Sequence, residues 1–167
     1  MLKRFILMAL IAIPMGAFAQ QKFGHVNPAA IMQAMPEYTT AQSELKDLQT
    51  QFEGEMKIMQ DELQKKGEEY EKQKDTLPAN IKERREKELQ ELYTRLQQYA
   101  QESNQNLQKA SQDKLDAISQ KMEKAIKEVG VAGGYVYILD ITNGVPYVSE
   151  TLSTDVTEAV KAKLGIK

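Results

Sequence analysis

A stretch of 90 residues, 40–129, constrains this chain more than any other feature. It carries 35 charged residues and 14 Gln against 27 apolar residues, with one Pro and two Gly. So polar a stretch cannot bury a core of its own. Its commonest residues, Glu, Lys, Gln and Leu, are good helix formers. Leu45, Leu48, Phe52, Met56, Met59 and Leu63 step by 3, 4, 4, 3 and 4, with Tyr70 one heptad after Leu63. Leu89, Leu92, Leu96 and Tyr99 step by 3, 4 and 3. This spacing predicts the narrow seam of a coiled coil, loosened where Lys66, Ser103 and Lys114 interrupt it.

One strong break divides the stretch, at residues 75–80. Pro78 lacks a backbone donor and turns Leu77 away from helical angles. Asn80 is the expected cap of the next helix, with Glu83 completing a capping-box-like pair. The expectation is an antiparallel helical hairpin whose tip lies at 75–80. The returning segment is the longer one, so its last turns must pack on the apolar segment that precedes residue 40.

The flanks have a different composition. Residues 20–39 and 130–167 hold 27 apolar residues in 58. Lys22 to Val26 is a short extended run, and Asn27-Pro28 starts a short helix carrying Ile31, Met32 and Met35. Gly130 and Gly133-Gly134 are expected to stop the long helix. Tyr135 to Leu139 is β-branched and aromatic, hence a strand. Asn143-Gly144 predicts a tight hairpin turn, with Val145 to Val148 as the partner strand and Pro146 marking an edge. Thr154 or Asp155 is expected to cap a final helix bearing Val156, Val160 and Leu164. About three strands and two short helices make too small a core to stand alone. The fold class is therefore α+β, mostly helical: a small β-sheet body at 20–39 and 130–167, and a helical arm at 40–129. Copies are expected to pool their strands into one core, with Phe23, Val26, Tyr135, Tyr137, Leu139 and Tyr147 as the candidate shared residues.

Residues 1–19 look like a secretory leader. Lys3 and Arg4 precede an apolar run, and Ala17-Phe18-Ala19 fits a small-x-small cleavage site. Cleavage would leave 20 basic against 24 acidic residues. With no Cys there is no thiolate zinc site and no disulfide.

The order of parts resembles the Skp/OmpH-like periplasmic chaperone family. The matching segments are Phe23-Gly-His-Val-Asn27, Met35-Pro-Glu-Tyr38, Ala41-Gln-Ser-Glu-Leu45, Tyr137-Ile-Leu-Asp140, Val145 and Thr154-Asp155-Val-Thr157. The resemblance implies a jellyfish-like homotrimer in the periplasm, with a β-sheet body and three helical tentacles. It also implies an ATP-independent holdase for unfolded outer-membrane β-barrel proteins, without a cofactor. Family members often have basic arms, but residues 40–75 here carry 10 acidic and 6 basic residues. At most weak contact with a membrane surface follows.

Met56, Met59, Leu63, Tyr70, Tyr93 and Tyr99 are the candidate client-binding residues. Met adapts to varied partners, and Tyr joins an apolar face to a polar tip. Packing in the helix-helix seam is the competing role for the same side chains. No catalytic or metal constellation stands out. Glu68-Glu69 and Asp61-Glu62 lie on a charge-rich helix, His25 lacks partner ligands, and the glycines 130, 133 and 134 follow a helix where a phosphate loop would precede one. Lys82, Arg84, Arg85 and Lys87 alternate with Glu, which suits helix ion pairs and not a specific nucleic-acid site. The alternative function is a scaffolding coiled-coil protein of the envelope that docks a single folded partner.

Overall fold

The computed structural model describes residues 21–166; the expected leader, residues 1–19, lies outside them. The chain opens with strand β1 (Lys22–Val26) and helix α1 (Pro28–Ala34). The two long helices α2 (Pro36–Gln73) and α3 (Ala79–Gly133) follow, then strands β2 (Tyr135–Asp140) and β3 (Ser153–Asp155) and helix α4 (Thr157–Lys163).

Local chemistry accounts for most boundaries. Asn27 caps α1, its Oδ1 accepting from Ala30 N at 3.0 Å, with Pro28 at the first helical position. Pro36 ends α1 and opens α2, since its ring fixes φ and supplies no donor. Helix α3 runs through Gly130 and stops only at Gly134, which takes the left-handed φ of 67°. Pro78, not Asn80, stands at the N-cap of α3, with Ile81 N and Lys82 N both donating to its carbonyl at 3.0 Å. Asn80 is therefore already inside the helix, and the expected capping box does not form.

Helices α2 and α3 span 38 and 55 residues, about 57 and 83 Å at 1.5 Å per residue. They run in opposite directions. Glu37 pairs with Lys121, Glu44 with Lys114, and Lys66 with Glu88, so numbers rise on one helix as they fall on the other. Along the arm the helices bury little. Ala41 is the only buried residue of α2, and on α3 only Leu92 and Ser103 are buried away from the base. The polar residues that break the apolar spacing have two fates. Lys66 and Lys114 are tied across the seam by carboxylates, whereas Ser103 Oγ is buried without a partner among the described residues. An unpaired buried hydroxyl costs ~1–3 kcal/mol. Ser103→Ala is therefore expected to stabilise the arm by about 1 kcal/mol, read as a rise in the urea midpoint; a lower midpoint would refute it.

The core lies at the base. Val26, Ile31, Met35, Ala41, Ile118, Met122, Ala125, Val156 and Val160 form one cluster drawn from β1, α1, α2, α3 and the start of α4. The last turns of α3 thus pack on the segment before residue 40, as their overhang requires.

The sheet differs from the expected hairpin. Its order is β2-β1-β3, and both neighbours run parallel to β1. Val145 to Val148 forms no strand. Gly144 does turn the chain, at φ 78°, with its N–H donating to Ile141 O at 3.3 Å. Pro146 cannot then donate to a ladder, and the chain crosses to the far side of β1 before residues 153–155 pair there. Thr154 and Asp155 consequently lie in β3, and Val156 holds the N-cap of α4. Asp155 still braces that helix, its Oδ1 accepting from Thr157 N at 2.8 Å.

Candidate functional site

Two surfaces carry the candidate side chains, the outer face of the sheet and the arm. Along β1, Gly24 and Val26 point into the core and are buried, while Phe23 and His25 point away from it. In register beside them stand Tyr137 and Leu139 on β2, and Ser153 and Asp155 on β3. Phe23 and Tyr137 stack at a centroid distance of 4.9 Å. His25 Nδ1 lies 2.8 Å from Ser153 Oγ. Burial pushes the Asp155 carboxyl up, but hydrogen bonds from Thr157 outweigh it and hold the group below its ordinary range.

The face is thus apolar on its β2 side and polar on its β3 side. Tyr137 is 54% exposed and Leu139 43%. A parallel sheet normally has both faces covered; here nothing among the described residues covers the outer one. Val131 and Val136 extend the exposed apolar area around the end of α3, where Ile126, Gly130 and Ile138 line an open groove. Of the candidate shared residues, Val26 is spent inside the chain's own core. Tyr135 packs half-buried against that core, and Phe23 and Tyr137 lie on the outer face with Leu139. Tyr147 and Leu152 are both exposed on the irregular crossing.

The second surface is the arm. Met56, Met59, Leu63, Tyr70 and Tyr99 are half-buried along the seam, and Tyr93 is 48% exposed. Tyr99 meets Phe52 edge-on at 6.3 Å. The Tyr70 hydroxyl donates to Glu86, which pushes its pKa up to about 12. Its polar tip is therefore engaged within the arm. Ile58 is more exposed than any of these, at 62%. It lies off the heptad spacing, the one sign in the sequence that it would face water.

Charge braces the arm along its length. The Lys121 ammonium lowers the Glu37 carboxyl, Lys66 lowers Glu88, and Lys163 of α4 lowers Glu128 at 2.9 Å. A carboxylate lowered on folding contributes stability above its unfolded value of about 4.3, and loses it as pH falls through the folded value. Since these pairs are exposed, each contributes little. The helical melting temperature is therefore expected to drop by a few degrees between pH 5 and pH 3, and to drop less in 1 M salt. An unchanged midpoint by circular dichroism would refute the assignment. Among the described residues no group of three or more His, Cys, Asp or Glu could hold a metal ion, and no helix is long and apolar enough to cross a membrane.

The sequence profile of the OmpH-like outer membrane proteins matches residues 22–164. The chain belongs to the OmpH-like family. This OmpH-like chain is 26% identical over 168 residues to the chaperone protein Skp of Yersinia enterocolitica, covering 96% of this chain and 100% of the relative. It is also 26% identical over 148 residues to the chaperone protein Skp of Pectobacterium atrosepticum, covering 86% and 87%. A solved structure described as an OmpH-like outer membrane chaperone of Caulobacter crescentus aligns with a TM-score of 0.76 at 19% identity, over 87% of this chain and 85% of that one. The OmpH-like fold, a small sheet with long helices, is thereby shown independently of sequence similarity.

Proposed function

We propose that this OmpH-like protein is a periplasmic holdase for unfolded outer-membrane proteins, working as a homotrimer without ATP. Membership of a family whose relatives are named chaperones supports the general role. The observation that carries the mechanism is the bare outer face of the sheet at the root of an unsupported helical arm. Copies that cover one another's Phe23, Tyr137 and Leu139 make a shared body from 20–39 and 130–167. The arms, 40–129, then project together and enclose a space.

Retention in that space rests on many weak contacts. Met, Tyr and the stems of Lys, Arg and Gln each offer an adaptable apolar surface. Contacts of ~0.5–1 kcal/mol sum to useful retention while letting clients vary. Long helices offer no free sheet edge for a β-strand to pair with. The leader would deliver the chain to the periplasm, where clients pass on their way to the membrane.

The test is dilution of a urea-unfolded barrel protein into buffer with a several-fold excess of the assembled protein. Suppressed light scattering is expected; unaltered aggregation refutes the holdase. Recovery from periplasm of a single folded partner in fixed ratio, in place of many unfolded barrel precursors, would favour a scaffold.

A further inference from the structure

Between Leu89 and Gln120, helix α3 sorts its side chains into stripes. The seam stripe faces α2. A second stripe collects Glu91, Arg95, Glu102, Lys109, Asp113 and Asp116, spaced by 4, 7, 7, 4 and 3 and hence on one face. The seventh charged residue of the segment, Lys114, is bound across the seam by Glu44. A third stripe, on the other flank of the seam, contains Tyr93, Gln97, Asn104, Gln108, Ser111 and Leu115, spaced by 4, 7, 4, 3 and 4. No charge falls on it, nor on the adjoining back of the helix at Gln90, Thr94, Gln98, Gln101, Gln105 and Gln112, in a chain with 28% charged residues.

This neutral stripe is open to solvent. Gln97, Asn104 and Gln108 are exposed, and none of their amides is spent on a partner among the described residues. Tyr93 and Leu115, at its two ends, are among the exposed large apolar side chains of the arm. Intrachain packing does not explain the segregation, because the seam already occupies the face toward α2. Solubility does not explain it either, because charge serves that purpose better.

We infer that the neutral stripe is the surface on which an extended, unfolded β-barrel segment lies. An unfolded strand presents unsatisfied peptide N–H and C=O groups whatever its sequence. A side-chain amide supplies both a donor and an acceptor, so a ladder of Gln and Asn pairs with any such backbone. A charged wall would keep its own hydration shell, and displacing that shell is costly. Tyr93 and Leu115 take the apolar side chains at either end. From Tyr93 to Leu115 the helix rises about 33 Å at ~1.5 Å per residue. That is the length of roughly ten extended residues, the size of one membrane-spanning barrel strand.

The inference rests on the holdase reading, and the experiment separates the two. Two triple variants of the full assembled protein place charge on the stripe: Gln97→Lys with Asn104→Lys and Gln108→Lys, and the same positions changed to Glu. A control neutralises the charged stripe with Arg95→Gln, Glu102→Gln and Lys109→Gln. Binding of a fluorescently labelled, urea-unfolded barrel protein is measured after mass and helicity are checked. Both stripe variants are expected to weaken binding about tenfold whichever sign they carry, with the control within about twofold. Unchanged binding, or loss with one sign only, overturns the stripe and leaves the holdase standing. A changed mass or helicity in both stripe variants assigns the stripe to assembly or folding and overturns it as well. Failure of the unaltered protein to bind overturns the function itself.

Discussion

Tyr137→Lys combined with Leu139→Lys is expected to leave the protein as single chains in solution. Both side chains stand on the bare face of β2, about half exposed, with Phe23 stacked beside Tyr137. In the proposed trimer each would be covered by a neighbouring copy. Burial of such side chains contributes ~1.5–3 kcal/mol apiece, and every copy contributes both. Lysine would remove that gain and set like charges against one another inside the assembly. The intrachain core lies on the opposite face of the sheet, through Val26 and Ile138, so each chain should keep its helical content. Light scattering is expected to fall from about three chain masses to one at micromolar concentration, with an unchanged far-ultraviolet spectrum. Loss of client protection should accompany it, because single arms enclose nothing. A particle that kept its mass would show that copies meet elsewhere, and the mechanism built on this face would fall with it.

Ile31→Ala should produce the largest loss of stability. Ile31 is fully buried in the only core cluster of the described residues, among side chains from five elements. Removing a buried Ile side chain costs ~2–5 kcal/mol, the spread reflecting how far the cavity collapses. The base has little room to collapse, since Met35, Val26 and Val160 around it are also almost without exposure. That loss is large against the total stability of a small body. Urea unfolding should show a midpoint well below that of the unaltered protein. The same change at Leu48, half-buried in the arm, should cost less than half as much. Equal costs at the two sites would mean that the arm, and not the base, anchors the fold.

The arm was legible from residues alone. Its helix formers, its 3- and 4-residue apolar steps and the single Pro78 break predicted two long helices, which the structure places at Pro36–Gln73 and Ala79–Gly133. A helix is a local structure, so local sequence suffices to specify it. The cap falls at Pro78 and not at Asn80 because both favour a helix start and the proline, two residues earlier, acts first. The strands were half legible. Tyr135 to Asp140 is extended as its composition demands. Its partner is distant β1, not the neighbouring residues 145–148, because pairing is decided by which edges meet after the base has packed.

The same division applies to the candidate site. Amino-acid spacing alone shows that α3 between Leu89 and Gln120 has one charged and one neutral flank, because helical periodicity maps residue number onto direction. It also shows that the termini are apolar enough to cluster. Tertiary structure alone decides that Val26 is consumed inside the chain while Tyr137 and Leu139 are left on a bare face. A strand's two faces look alike in composition, and only the helices packed against one of them break the tie.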